Sequence, residues 1–417
     1  MKKIVFLLMV LMIAGLHFSC ENNDTPKPVL EPKQIDVDAQ TRQLIDSDNH
    51  FGLELFRTIS AGQDPSANTM ISPVSVSLAL AMTYNGAEGD TKSAMEETLQ
   101  LTGLSRQEIN ASYQALIEAL LTVDPKVTME IANSIWYRQE FSVEQDFLDV
   151  NQEYYDAEVS ALDFNSSEAP SIINYWVSDK TNGKITKIIE QIDPLTMMYL
   201  INAIYFNGKW KFQFDEDKTS RQPFYMADGS EIQTDMMQTE ATLNYMRNDL
   251  FRAVEMPYGR GNYTMVCMLP NEELKVEDVV GEMNAESWNQ WMQAMDSATV
   301  QVHLPRFKFE YEKKLNELLQ AMGMEEAFDP DRADFSGINP DRDDLHISEV
   351  KHKTFIEVDE KGTEAAAVTS VTMGTTSADP GPPVVVKFDR PFVFAIREVT
   401  TGTIVFAGKL VEPEVYE

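Results

Sequence analysis

Cysteine is nearly absent: Cys20 and Cys267 are the only two in 417 residues, too few to staple a fold with disulfides. Basic residues are scarce beside acidic ones, 34 Lys+Arg against 67 Asp+Glu, which leaves a formal charge of −33. So large an acidic surplus repels phosphate backbones and anionic bilayers, and no Lys/Arg cluster offsets it, so nucleic acid is excluded as a partner. The apolar run at the N-terminus, Ile4 to Leu16, falls short of the ~20 residues that a membrane-crossing helix needs. Signatures of catalysis are missing as well. There is no G-x-S-x-G, H-E-x-x-H or C-x-x-C, and NGK at Asn182–Lys184 and Asn207–Lys209 lacks the earlier glycine of a phosphate loop. Asp329, Asp331, Asp334 and Asp341, Asp343, Asp344 resemble calcium-loop spacing without the turn glycine at the sixth position, and read as solvated acidic loops. No enzyme activity, cofactor or metal is expected.

What is present begins with an export signal. MKKIVFLLMVLMIAGLHFSC has two lysines, an apolar run and a small residue before Cys20, and it is similar to the signals of bacterial lipoproteins, in which that cysteine is lipidated after cleavage. His17 and Phe18 depart from the usual pattern, and plain secretion is the alternative. Residues 1–19 are thus read as a signal peptide, and the polar, proline-bearing residues 20–41 as a flexible tether holding the body off a membrane through Cys20. Cys267, within TMVCMLP, reads as an inert core thiol.

The chain as a whole is 43% hydrophobic, and its body from residue 42 to 417 shows no repeat or linker at which to divide it. Its front is helix-rich: Phe51, Leu55, Phe56 and Ile59 share one helical face, and SPVSVSLALAMTYNG and Ser105 to Leu121 continue the pattern. Strand-like runs follow at Ile131–Tyr137, Met198–Phe206, Tyr263–Leu269 and Val300–Phe309. Val384–Phe388, Pro391–Ile396 and Thr403–Leu410 are continuous apolar runs, which predict strands buried on both faces. One α+β domain is expected. His352, Thr354, Ile356 and Val358 share a face by period-two parity, so the His352 imidazole is expected beneath a sheet with a buried partner. Only residues 362–383 conflict with a compact fold: small, hydroxylated, without aromatics, and long for an internal loop.

Five segments, in order, carry a resemblance. NTMISPVSVSLALAMTYNGAEGDT (Asn68–Thr91), INAIYFNGKW (Ile201–Trp210), ADFSGI (Ala333–Ile338), VDEKGTEAAA (Val358–Ala367) and KFDRPFVFAI (Lys387–Ile396) are each similar to a signature of the serpin family of protease inhibitors. The resemblance runs from about residue 44 to residue 413. It implies a five-stranded main sheet, further antiparallel sheets, and an exposed reactive loop over the odd segment. It also implies a mechanism: the target protease attacks the loop, the cleaved loop inserts as a new strand, and the acylated protease is carried away and distorted before deacylation.

An inserting strand needs small or apolar residues on the face that enters the core. Thr363, Ala365, Ala367, Thr369, Val371 and Met373 share one parity and all qualify, while the one charge, Glu364, lies on the other face with Ala366 and Val368. Gly362 supplies a permissive hinge after Glu360. Family spacing from Glu360 implies a scissile bond at Thr376–Ser377, with Met373 and Thr375 as rival positions. No Lys or Arg lies between Gly362 and Val386, which disfavours trypsin-like targets against elastase-like, subtilisin-like or papain-like ones.

The resemblance further implies a hydrogen-bonded set under the sheet centre (Ser72, Ser75, Asn202, His352) and an entry site formed by Trp210, Arg306 and Glu360, with an Arg306–Glu360 latch. Arg stands at 306 where Lys is usual. Heparin activation is not expected, since Ser105 to Val127 offers only Arg106 and Lys126. The expected state is a monomer whose partner is a covalently trapped protease; a non-inhibitory binding or chaperone module is the rival reading.

Overall fold

Ser72 starts the helix around which the molecule is built. In the computed structural model, which describes residues 31–363 and 382–413, its side chain caps helix α2 (Pro73–Tyr84), with Pro73 in the first turn where its missing N–H costs nothing. The sequence of α2 is apolar on nearly all sides because the helix packs between both sheets. Before it come α1 (Ala39–Ala61), capped by Asp38, and strand β1 (Thr69–Ile71); after it come α3 (Gly89–Thr98) and α4 (Arg106–Thr122), which opens on a Ser105/Glu108 capping box. Phe51, Leu55, Phe56 and Ile59 are all buried on α1, as their spacing predicts.

The middle of the chain supplies β2 (Val127–Arg138), α5 (Gln145–Tyr155), β3 (Glu158–Leu162), α6 (Ala169–Lys180) and β4 (Met198–Lys209). Then follow β5 (Ser220–Tyr225), β6 (Glu231–Arg247), β7 (Phe251–Pro257), β8 (Tyr263–Pro270), α7 (Val276–Glu282), α8 (Ala285–Gln293), β9 (Asp296–Pro305) and β10 (Phe307–Lys314). Short helices α9 (Asn316–Leu319) and α10 (Glu325–Phe328) precede β11 (Lys351–Val358), β12 (Gly362–Thr363), β13 (Val384–Lys387), β14 (Phe392–Glu398) and β15 (Ile404–Leu410).

The main sheet runs β10-β11-β12-β4-β2-β3. It therefore holds the five expected strands plus the two-residue β12 between β11 and β4. The other strands form one continuous nine-stranded sheet, β1-β15-β14-β8-β7-β6-β9-β13 with β5 on β6, antiparallel throughout except for its β13–β9 pair. A large core lies between the sheets and helices α1 to α4, and a smaller one, with Ile173, Trp176, Ile201 and Ala203, lies under α6 on the opposite face of the main sheet.

Three expectations need correcting. The run Val300–Phe309 is not one strand: the chain leaves the large sheet at Pro305, turns at Arg306 with its N–H on Asp235 O, and enters the main sheet at Phe307. Apolar alternation is the same on both sides of that turn, so periodicity does not mark it. Strands β14 and β15 are buried on both faces as predicted, whereas β13 is a sheet edge with Val385 half exposed. Nor does the tether extend to residue 41. Lys33 N–H and C=O are both held by the Asn262 side chain at 2.8 Å each, Arg260 Nε donates to Glu31 O at 3.0 Å, and Ile35 and Val37 pack on the core. Polar composition hid this docking, because three backbone groups and two small patches of apolar surface carry it.

Candidate functional site

β4 and β11 are parted. Among the described residues they are joined only through β12, whose Thr363 pairs with Val358 on one side and Gly208 on the other, while Gly362 pairs with Lys209. Beneath Thr363 the gap continues as a cavity of 20 Å³ lined by Ile204, Phe206 and Ile356, then as one of 580 Å³ bordered by Ser75, Tyr199, Asn202, Val350 and His352. Among the described residues β4 and β11 do not pair with each other below β12, and the gap between them is a slot. Unpaired N–H and C=O groups on strands flanking such a slot favour any segment that can complete the ladder.

The head of the slot tolerates only particular residues. Gly362 lies so close to β4 that a Cβ there would sit 2.0 Å from Gly208 O and 2.7 Å from Lys209 Cα. Its role is close approach rather than general flexibility. Gly362→Val is expected to expel β12 from the sheet, at a cost of about 1–3 kcal/mol, read as accelerated amide exchange at Lys209 and Thr363. Thr363 itself is buried, with its hydroxyl 2.5 Å from Tyr258 Oη.

Lower down, the expected hydrogen-bonded set is split across the slot. His352 Nε2 accepts from Ser72 N–H at 3.0 Å, and Ser72 Oγ accepts from Ser75 N–H at 3.3 Å. Asn202 is not in that set: its Nδ2 donates to Asn133 Oδ1 at 2.8 Å, and its own Oδ1 is buried without a partner among the described residues. Asn133, which the sequence reading missed, donates in turn to Tyr155 O at 2.7 Å and so ties β2 and β4 to α5. Parity put His352 on the right face, and the resemblance alone grouped Asn202 with it; neither could show that a cavity lies between them.

Burial pushes the His352 pKa down to about 4, so the ring is neutral and its Nε2 lone pair is free to accept. The folded value lies below the unfolded one of ~6.5, so its contribution, up to ~3 kcal/mol, is complete above pH 6.5 and is lost as pH falls through about 4. His352→Gln, which keeps an acceptor, is expected to show a smaller drop in thermal midpoint between pH 7.5 and pH 4.5 than the wild-type protein. Asp48, whose carboxyl burial raises to about 7, runs in the opposite direction and cancels in that comparison.

At the upper end the entry residues do converge. Arg306 grips Glu360 with Nε at 2.9 and 2.8 Å from the two carboxylate oxygens and Nη2 at 2.7 Å from Oε1, and Thr219 Oγ1 donates to the same oxygen. Burial alone would raise the Glu360 pKa, but the hydrogen bonds from Arg306 and Thr219 hold it below the ordinary carboxylate value. Asp235, 3.6 Å from Arg306, is a second acidic neighbour. Trp210 Nε1 donates to Asp359 O at 2.9 Å and its N–H to Lys361 O at 2.8 Å, so the tryptophan is bonded to the turn that leads from β11 into β12.

A parted main sheet, a strand stub at its head and an ion-paired turn leading into that stub form one arrangement, and comparison places it. The model of the family described as Serpin (serine protease inhibitor) matches residues 46–413. The chain is a member of the serpin family. Serpin B6 of Pongo abelii is 35% identical over 381 residues, which is 89% of this chain and 99% of that protein. The thermophilic serpin tengpin in its native state superposes with a TM-score of 0.81 at 35% identity, covering 91% of this chain and 96% of tengpin. Human thyroxine-binding globulin, complexed with thyroxine, gives 0.82 at 29% identity, covering 90% and 100%.

Members of the family are typically protease inhibitors that form complexes with their targets, and not enzymes. In this serpin Glu360, Gly362 and Thr363 lie within the described residues at the head of the slot, whereas Glu364, Ala365, Ala366, Ala367, Val368, Met373, Thr375, Thr376 and Ser377 lie outside them, as does Cys20. Cys267 is fully buried on β8, where burial pushes its thiol pKa up and leaves it unreactive. The acidic loops have partners of their own: Asp329 is paired with Arg332 and Asp344 with Arg342.

Proposed function

We propose that this chain is an inhibitory serpin that traps a serine or cysteine protease as a covalent acyl complex by inserting its cleaved reactive loop between β11 and β4. The observation that carries the reading is the seated β12 at the head of the slot. Continuing its register without a slip, each step along the loop is a step back along both neighbours. Ala365 then meets Phe206 and Ile356, Ala367 meets Ile204 and Thr354, Thr369 meets Asn202 and His352, and Met373 reaches Met198, the first residue of β4. The parity of small and apolar residues in the loop thus falls on the face that β4 and β11 bury. The opposite face is covered lower down by α6 over Ile201 and Ala203, which in this register face Ser370 and Val368, both small enough to fit. Completing two ladders gives a backbone hydrogen bond at most positions, each worth net ~0.5–1.5 kcal/mol, and supplies the driving force.

Cleavage at or near Thr376–Ser377 leaves the loop acylated to the protease. Carriage of that protease to the far end of the slot would break the oxyanion and base geometry that deacylation needs. With no Lys or Arg between Gly362 and Val386, the targets are elastase-like, subtilisin-like or papain-like proteases. The export signal supports a site of action outside the cytoplasm, with Cys20 lipidated and the body held at the cell surface or in the periplasm; secretion without the lipid is the alternative, and intact mass of the membrane fraction separates the two.

The test is incubation of the chain truncated at Cys20 with an elastase-like, a subtilisin-like, a papain-like and a trypsin-like protease, read by denaturing gels and mass spectrometry. An SDS-resistant adduct with one of the first three, and a released fragment beginning near Ser377, is the expected result. Cleavage by all four without an adduct would overturn it in favour of a non-inhibitory binding or chaperone module, the kind of use that thyroxine-binding globulin illustrates.

A further inference from the structure

Thr363 is not merely small enough for the slot; its hydroxyl is held. Tyr258 Oη lies 2.5 Å from Thr363 Oγ1, with both residues buried. Tyr258 belongs to the other sheet, in the turn between β7 and β8, 105 residues away in sequence. We propose that Tyr258 is the seat of the hinge, a positioning residue whose phenol holds Thr363 at the mouth of the slot and so speeds insertion of the cleaved loop relative to its hydrolysis. This inference rests on the inhibitory reading above.

The phenol is fixed from three sides. Its ring stacks on Trp210 at 4.3 Å and 13°, and meets the edge of Phe206 at 5.2 Å. The turn that carries it is tied to β4 by Gly259 N–H on Lys209 O at 2.8 Å, and Lys211 N–H returns a bond to Pro257 O at 2.8 Å. On its outer side, Asn262 and Arg260 hold the docked N-terminal segment through Lys33 and Glu31. Such a constrained hydroxyl cannot swing to another partner, and it is fully buried, so a departing hinge would leave it unpaired.

Burial also drives the Tyr258 pKa upward, so the group remains a neutral phenol over the working pH range. Because the contact exists before cleavage and its partner lies on the entering strand, losing it lowers the share of chains whose hinge is already seated. A neutral hydrogen bond of ordinary net strength corresponds to a factor of about 2 to 12.

The experiment uses the full mature chain with a protease that forms the adduct, and compares Tyr258→Phe, Thr363→Val, Thr363→Ser and the Tyr258→Phe/Thr363→Val double variant. Both single removals are expected to raise the ratio of cleaved inhibitor to adduct about 2- to 12-fold, with the initial rate of loop cleavage unchanged. The double variant is expected to be no worse than either single one, and Thr363→Ser to behave as wild type. An unchanged ratio in Tyr258→Phe, or factors that multiply in the double variant, overturns the seat. Thermal midpoints serve as the folding control, and Thr363→Val reads the same contact without touching Tyr258. If the wild-type protein gives no adduct with any of the four proteases, the inhibitory reading fails on its own account. The seat is then decided in uncleaved protein by amide exchange at Gly362 and Thr363: equal acceleration by both single variants supports it, and unchanged exchange overturns it.

Discussion

Thr363→Arg is expected to abolish the SDS-resistant adduct while leaving loop cleavage intact, so that the inhibitor becomes a substrate. Thr363 is 4% exposed, lies between Val358 and Gly208, and points its hydroxyl at Tyr258. An arginine there has to bury a guanidinium among Ile204, Phe206 and Ile356, where the cavity offers only 20 Å³ and, among the described residues, the one lining carboxylate, Glu357, is already paired with Lys184. Burying a charge without a partner costs several kcal/mol, which is a loss of more than a hundredfold in insertion. The alternative for the chain is to leave the slot, and that also forfeits β12. Quantitation of adduct against cleaved inhibitor on denaturing gels checks the prediction; an adduct in normal yield would sink the insertion mechanism.

Arg306→Ala has the second largest expected effect, and it acts before any protease arrives. Glu360 has a side chain only 5% exposed, and its charge is tolerated because Arg306 engages both carboxylate oxygens. Removing the arginine leaves that carboxylate with the Thr219 hydroxyl and a backbone N–H but no cation on its oxygens, at a cost of about 3 kcal/mol. The expected outcome is a thermal midpoint lower by several degrees and faster formation of polymers on mild heating, because the turn 359–361 that sets β12 in place is released. Arg306→Lys, which returns the charge without the bidentate grip, is expected to recover part of the loss. Size-exclusion chromatography after incubation at a temperature below the midpoint separates the three proteins. Unaltered polymerisation of Arg306→Ala would remove the latch from the account, although it would leave the slot untouched.

Much of the site was legible in the residues. The period-two burial of His352, Thr354, Ile356 and Val358 on β11 follows from parity, and so does the need of the buried histidine for a partner, which Ser72 N–H meets. Arg306 and Glu360 carry opposite charges that had to meet if the family resemblance held, and they do. Asn202 shows the limit: the resemblance implied a place in the set with Ser72, Ser75 and His352, but its partner is Asn133 on β2, chosen by the register of β2 against β4. A register is a property of two strands at once, and one strand's sequence does not contain it. The docked segment Glu31–Asp38 was misread for a related reason. Its attachment is made through backbone groups to Asn262, and backbone groups leave no trace in composition.

By itself, then, the sequence determined the helix-rich front, the three apolar strands at the end and the alternation of the hinge, because these depend on local periodicity and on side-chain size. Its signatures also determined the family. Only the tertiary structure decided that Gly362 lies against Gly208, that the single run Val300–Phe309 is shared between two sheets, and that a phenol 105 residues from Thr363 waits under the hinge. Each of these depends on which surfaces meet when two sheets and a central helix pack together, and packing between distant segments is not encoded at any one position of the chain.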